Sequence, residues 1–140
     1  MVILDTDCMS LLERDNAASS VLRRRLATAT DVATTIVNFE EQMRGWLAYV
    51  AKSREMEQQI AAYAQLYRFL ENYRTITVLP FEDVAAAELR NLQARKIRIG
   101  TMDLKIAAIA IAHEALLISR NLADFEQVPQ LRVADWTQLS

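Results

Sequence analysis

The chain has 140 residues, 52% of them apolar and 24% charged, with 16 basic against 18 acidic side chains and a formal net charge of -2. That length suits a single domain, 1–140, whose core is large enough to fold without disulfides or a structural metal, in keeping with the lone Cys8. Two glycines and two prolines exclude a low-complexity or collagen-like chain, and the balanced charge excludes the bulk positive field of a nonspecific nucleic-acid binder.

In chain order, Val2-Ile3-Leu4 is a short apolar run rich in β-branched residues that reads as a strand ending at Asp5. A helical pattern starts at Met9-Ser10-Leu11-Leu12. A second helix follows, capped by Asn16 or Asp15, with Val21, Leu22 and Leu26 inward and Arg23, Arg24 and Arg25 on an exposed face. The β-branched cluster from Val32 to Phe39 predicts a second strand, and Glu40 to Ala51 returns to helical spacing. Met56, Ile60, Tyr63, Tyr67 and Leu70 recur at steps of four and three, marking a long amphipathic helix antiparallel to the one before, with a core assignment for its apolar side chains.

Ile76 to Leu79, closed by Pro80, reads as a third strand, and Asp83 to Ala94 as a helix with Val84, Ala87, Leu89 and Leu92 inward. Thr101 precedes a helix, Met102 to Ala112, that is apolar on nearly every face and therefore buried. Its wholly apolar run, Ile106 to Ala112, is far shorter than the roughly 20 residues a membrane span needs, so a cytoplasmic protein without membrane partners is expected. Leu116-Leu117-Ile118 makes a fourth strand and Leu131-Arg132-Val133 an edge strand. Strands separated by helices predict an α/β fold with a mostly parallel central sheet and helices on both faces.

In such sheets ligands gather at the carboxyl ends of the strands. Asp5 ends the first strand with Asp7 close behind, Glu40 and Glu41 follow the second, Asp103 opens the buried helix, and Asp124 follows the fourth strand. Two carboxylates 4 Å apart repel by about 4 kcal/mol at an effective dielectric near 20, so a cluster of them needs protons, Lys/Arg or divalent cations. Oxygen-only ligands suit Mg²⁺ or Mn²⁺, whereas Zn²⁺ recruits His and Cys, of which the chain has one each. His113, at the end of the apolar helix, reads as a packed or capping residue, and Cys8 as a small buried hydrophobe. Taken singly, each acid is equally at home as a helix cap or a solvated turn residue.

Four blocks carry a resemblance: Ile3-Leu4-Asp5-Thr6-Asp7, Glu41-Gln42-Met43-Arg44-Gly45, Asp103-Leu104-Lys105-Ile106-Ala107-Ala108 and Ser119-Arg120-Asn121-Leu122-Ala123-Asp124-Phe125. Together, in this order and spacing, they resemble PIN-domain proteins of the VapC toxin type. The resemblance implies a PIN-like three-layer sandwich with a sheet of four to five strands. It also implies a metal-dependent endoribonuclease, the toxin of a bacterial type II toxin-antitoxin module, that hydrolyses RNA with a metal-activated water. A homodimer and a cognate antitoxin that occludes the site are expected with it. The family's catalytic and Mg²⁺- or Mn²⁺-binding acids map onto Asp5, Glu41, Asp103 and Asp124, and its supporting hydroxyl and amide positions onto Thr6, Ser119 and Asn121. Asp7 departs from the Asn of many members and is either an influence on the metal or a hydrogen-bond partner. Arg44, Arg98, Lys105 and Arg120 lie near the acid blocks and are candidate contacts to RNA phosphates.

Two other readings stand beside this one. Asp5-Thr6-Asp7 also suits the nucleophile and acid of a haloacid-dehalogenase-like phosphatase, although Met9 departs from the Thr or Val expected there. The chain also suits a non-catalytic α/β protein-binding module whose acids are caps and whose Met43, Trp46, Met56, Tyr63 and Tyr67 supply a docking surface.

Overall fold

The computed structural model describes residues 1–139. Its elements run β1 (Val2–Leu4), α1 (Thr6–Leu11), α2 (Ala17–Leu26), β2 (Val32–Thr35), α3 (Ile36–Lys52), α4 (Met56–Arg74), β3 (Thr77–Leu79), α5 (Asp83–Ala94), α6 (Thr101–Ala112), β4 (Leu116–Ile118), α7 (Leu122–Phe125) and β5 (Arg132–Ala134). The five strands form one sheet in the order β3-β2-β1-β4-β5, every pairing parallel. After β1 the chain builds outward to β2 and β3, then crosses back to place β4 on the other side of β1. The connections therefore diverge from the centre of the sheet, and the crevice lies at the carboxyl ends of β1 and β4.

Alternation along the strands divides the core into two layers. Ile3, Ala33 and Leu117 face a cluster with Leu92 of α5 and Leu104 to Ala110 of α6. Leu4 and Ile118 face the opposite cluster with Cys8, Leu11, Leu22, Phe69 and Tyr73. Short central strands with both faces covered need uninterrupted apolar sequence, which Val2-Ile3-Leu4 and Leu116-Leu117-Ile118 supply. The apolar helix α6 is buried from Ile106 to Ala110, as its composition requires.

Three expectations need correction. The second strand stops at Thr35 rather than Phe39, because Thr35 caps α3: its hydroxyl accepts from the Asn38 amide while the Asn38 side chain accepts from the Thr35 amide. This reciprocal cap overrides the β-branched character of Ile36 and Val37. In α5 the inward side chains are Ala85, Leu92 and in part Leu89, whereas Val84 and Ala87 are exposed, because the helix rests on α6 through Ala85 and Leu92, a pair seven residues apart on one face. In α4, Met56, Ile60, Tyr63, Tyr67 and Leu70 all lie more than half exposed, while Ala62, Phe69 and Tyr73 are buried. The regular apolar stripe is the outer face, and the face toward α3 carries the aromatic contacts Phe39–Phe69 and Phe39–Tyr73, both with ring centroids 5.1 Å apart. The four-residue α7 has no counterpart in the sequence-based reading.

The helix stops are unusual in a chain with two glycines. Lys96 after α5 and Glu114 after α6 take the left-handed conformation, at φ 56° and 52°, that glycine ordinarily supplies. His113 is the C-cap of α6 and exposed, and Cys8 is buried. Of the arginine run, Arg23 donates to the carbonyls of Leu12 and Arg14, both at 2.7 Å, and so closes the turn between α1 and α2. Arg25 lies over the Trp136 ring at 5.1 Å.

Candidate metal centre

The carboxyl edge is assembled from short polar contacts. Asp5 follows β1, where its amide donates to the Ile118 carbonyl of β4 at 3.1 Å. Its side chain caps α1 by accepting from the Cys8 amide at 2.8 Å, and the residue is 6% exposed. Burial raises its pKa from the usual carboxylate value, while hydrogen bonds with Ser119 and Cys8 pull it back down.

Thr6 donates its hydroxyl to Glu41 Oε1 at 2.6 Å and accepts from Asn38 Nδ2 at 2.9 Å. Asn38 is fully buried, so the cap of α3, the first turn of α1 and the orientation of Glu41 form one chain of hydrogen bonds. The sequence-based reading missed Asn38 because it set the residue in a strand. The signal was present in the Thr35-x-x-Asn38 spacing, a polar residue three positions after a capping hydroxyl.

Asp103 lies in the first turn of α6, where its carboxyl is pushed up to about 6, first by burial and then by the charges of Glu41, Asp5 and Asp124. Acids from three other parts of the chain thus act on Asp103 through their charge. Asp124, in α7, accepts from Asn121 Nδ2 at 3.0 Å, and the Asn121 amide donates to the buried Ser119 hydroxyl at 2.9 Å. Carboxylates are oxygen donors, the chemistry that suits a hard divalent cation such as Mg²⁺ or Mn²⁺, and such a cation would relieve the repulsion that Asp103 meets from the other acids.

A tighter group lies on one side of this cluster, with ligand atoms of Asp5, Asp7 and Cys8 all within 4.8 Å of one another. Burial pushes the Cys8 thiol up, which keeps it protonated, and both Asp7 oxygens are taken by Arg120, from Nε at 2.6 Å and from Nη2 at 2.8 Å. The Arg120 contact lowers the Asp7 pKa, which keeps the carboxylate ionised and unsuited to the proton donor that the phosphatase alternative requires, while the guanidinium occupies both oxygens that a metal would use.

Arg44 pairs with Glu40 one turn back on α3. Lys105, on α6, borders a shallow depression with Phe39, Glu40, Met43 and Phe81, and Arg98 is exposed in the turn before α6. No described helix is long and apolar enough to cross a membrane.

A family model described as PIN domain matches residues 2–131. Among curated proteins the chain is similar to a ribonuclease VapC of Rickettsia bellii, 38% identical over 74 residues that make up 49% of this chain and 55% of that protein. It is also similar to ribonuclease VapC2 of Rickettsia felis, 33% identical over 88 residues, 62% of this chain and 63% of the relative. The match thus spans little more than half the length of these relatives. Among solved structures, VapBC2 of Rickettsia felis bound to a promoter DNA fragment aligns with a TM-score of 0.73 at 23% identity, covering 97% of this chain and 99% of that one. At that identity the likeness is one of fold.

Proposed function

The chain belongs to the PIN-domain family, and from that premise we propose that it is an Mg²⁺- or Mn²⁺-dependent endoribonuclease, the toxin of a toxin-antitoxin pair. The observation that carries this reading is that Asp103 feels the charges of Glu41, Asp5 and Asp124. In this reading, these four residues hold the cation. The chemistry that a bound divalent ion supplies is a lowered pKa for the attacking water and neutralisation of charge on the phosphate.

The remaining groups have positioning work. Thr6 and Asn38 fix the rotamer of Glu41, Asn121 fixes Asp124, and Ser119 lies beside the buried Asp5. The cations Arg44, Arg98, Lys105 and Arg120 offset the repulsion between an acidic site and a polyanionic strand. A metal-free route through the RNA 2′-hydroxyl calls for a general acid and base, and the chain's one histidine, His113, is a helix cap.

A cognate antitoxin belongs to the same reading, supported by the toxin-antitoxin complexes among the structural neighbours, and a homodimer is proposed with it. A cytoplasmic location belongs to it too. Digestion of RNA by the purified protein in Mg²⁺, Mn²⁺ or EDTA, alongside Asp103→Asn and Asp5→Asn, tests the activity. Cleavage confined to the wild type with metal is expected. Undiminished cleavage in EDTA, or by both variants, overturns the metal mechanism, and turnover of a phosphomonoester with RNA left intact replaces it with a phosphatase. Light scattering of the isolated chain tests the dimer.

A further inference from the structure

Asp7 and Arg120 lie 113 residues apart in sequence and form a two-pronged ion pair across the carboxyl ends of the two central strands, β1 and β4. The pair uses Nε and Nη2 of the guanidinium, and Nη1 has no partner among the described residues. The Arg120 side chain remains 37% exposed. An oxygen of Asp7 lies within 4.8 Å of one of Asp5, so the ion pair borders the buried acid that caps α1, while the further carboxylate whose charge acts on Arg120 is Asp135.

A guanidinium held by Asp7, next in line to Asp5, offers a charge-assisted donor to an RNA phosphate. We propose that Asp7 is a positioning residue that clamps Arg120 as a phosphate anchor. This rests on the nuclease reading above. It gives the Asp at position 7 a role that Asn does not fill in the same way, since an amide offers one acceptor oxygen and no charge to a two-pronged guanidinium.

The test measures single-stranded RNA binding by fluorescence anisotropy with Mn²⁺ in the Asp103→Asn background, where cleavage is silenced, and Mn²⁺ binding by electron paramagnetic resonance in the otherwise wild-type protein. Arg120→Gln is expected to weaken RNA binding about tenfold, the worth of one charge-assisted contact. It should also flatten the slope of log affinity against log salt by about 0.7, one phosphate on a single strand. Asp7→Asn is expected to weaken RNA binding in the same direction, with no further loss when added to Arg120→Gln, because it acts through that residue.

Urea midpoints of all variants report folding separately. Weakened Mn²⁺ binding in Asp7→Asn with RNA affinity unchanged makes Asp7 a metal ligand and overturns the proposal. Unchanged RNA affinity and salt slope in every variant reduces the pair to a structural tie and also overturns it. Absence of RNA binding by the parent with Mn²⁺, together with absence of cleavage by the wild type, removes the nuclease reading itself.

Discussion

Asp103 is held in electrostatic conflict with its surroundings. Its carboxyl is pushed up to about 6 by burial and by Glu41, Asp5 and Asp124, whereas an unfolded Asp titrates near 3.8. Below the unfolded value the group is protonated in both states and costs nothing. As pH rises from about 4 to 6 the unfolded chain releases its proton first, so the folded state loses stability, and the deficit then stays constant. In EDTA, Asp103→Asn should therefore melt at the same temperature as the wild type near pH 4 and above it from pH 6 upward. Saturating Mn²⁺ should reverse the order at neutral pH, because only the wild type gains the full binding free energy. A melting-temperature difference that does not vary with pH in EDTA would mean that neither burial nor the neighbouring acids perturb Asp103. The candidate acids were legible in the sequence because each sits beside a strand end or opens a helix. The Asp7–Arg120 pair was not, since charge pairing across 113 residues leaves no local pattern.

At the scale of the element, the start of α3 does two tasks. The Thr35–Asn38 cap sets where strand gives way to helix, and the Asn38 amide reaches on to Thr6 and through it to Glu41. Asn38→Ala removes both, so we expect a loss of about 1–2 kcal/mol in urea denaturation together with slower RNA cleavage at saturating metal. Thr35→Ser keeps the hydroxyl and should be nearly neutral in both assays. Farther along α3, buried Gln42 donates to Ser10 Oγ at 3.0 Å and accepts from the Tyr73 hydroxyl of α4. Tyr73→Phe strands that acceptor and should cost about 1–3 kcal/mol without touching the acids, so turnover by the folded fraction should hold. Periodicity located α3 and α4 as helices, but it could not place the strand-to-helix boundary. The competing signals at Ile36 and Val37 are resolved by a cap that depends on side-chain geometry.

Across the whole molecule, stability and apolar patterning part company. The alternation of Ile3 with Leu4 and of Leu117 with Ile118 feeds two cores, one on each face of the sheet, and helices on both faces were readable from the succession of strands and helices. The stripe on α4 was readable as a pattern and misleading as to its place: nothing in a period of three and four says whether the sheet or the solvent meets that face, and here Phe69 and Tyr73 take the inward positions. The two kinds of apolar residue should answer differently to substitution. Leu117→Ala opens a cavity at a fully buried position beside β1 and should cost about 2–5 kcal/mol, enough to loosen the strand ends that carry Asp5 and Ser119. Ile60→Gln and Tyr67→Gln, at positions 64% and 65% exposed, should move the urea midpoint of the isolated monomer by no more than about 0.5 kcal/mol. A midpoint that falls steeply for the α4 variants, and does so only at high protein concentration, would show that the stripe is covered when copies associate. A steep fall at every concentration would show that it packs within the monomer.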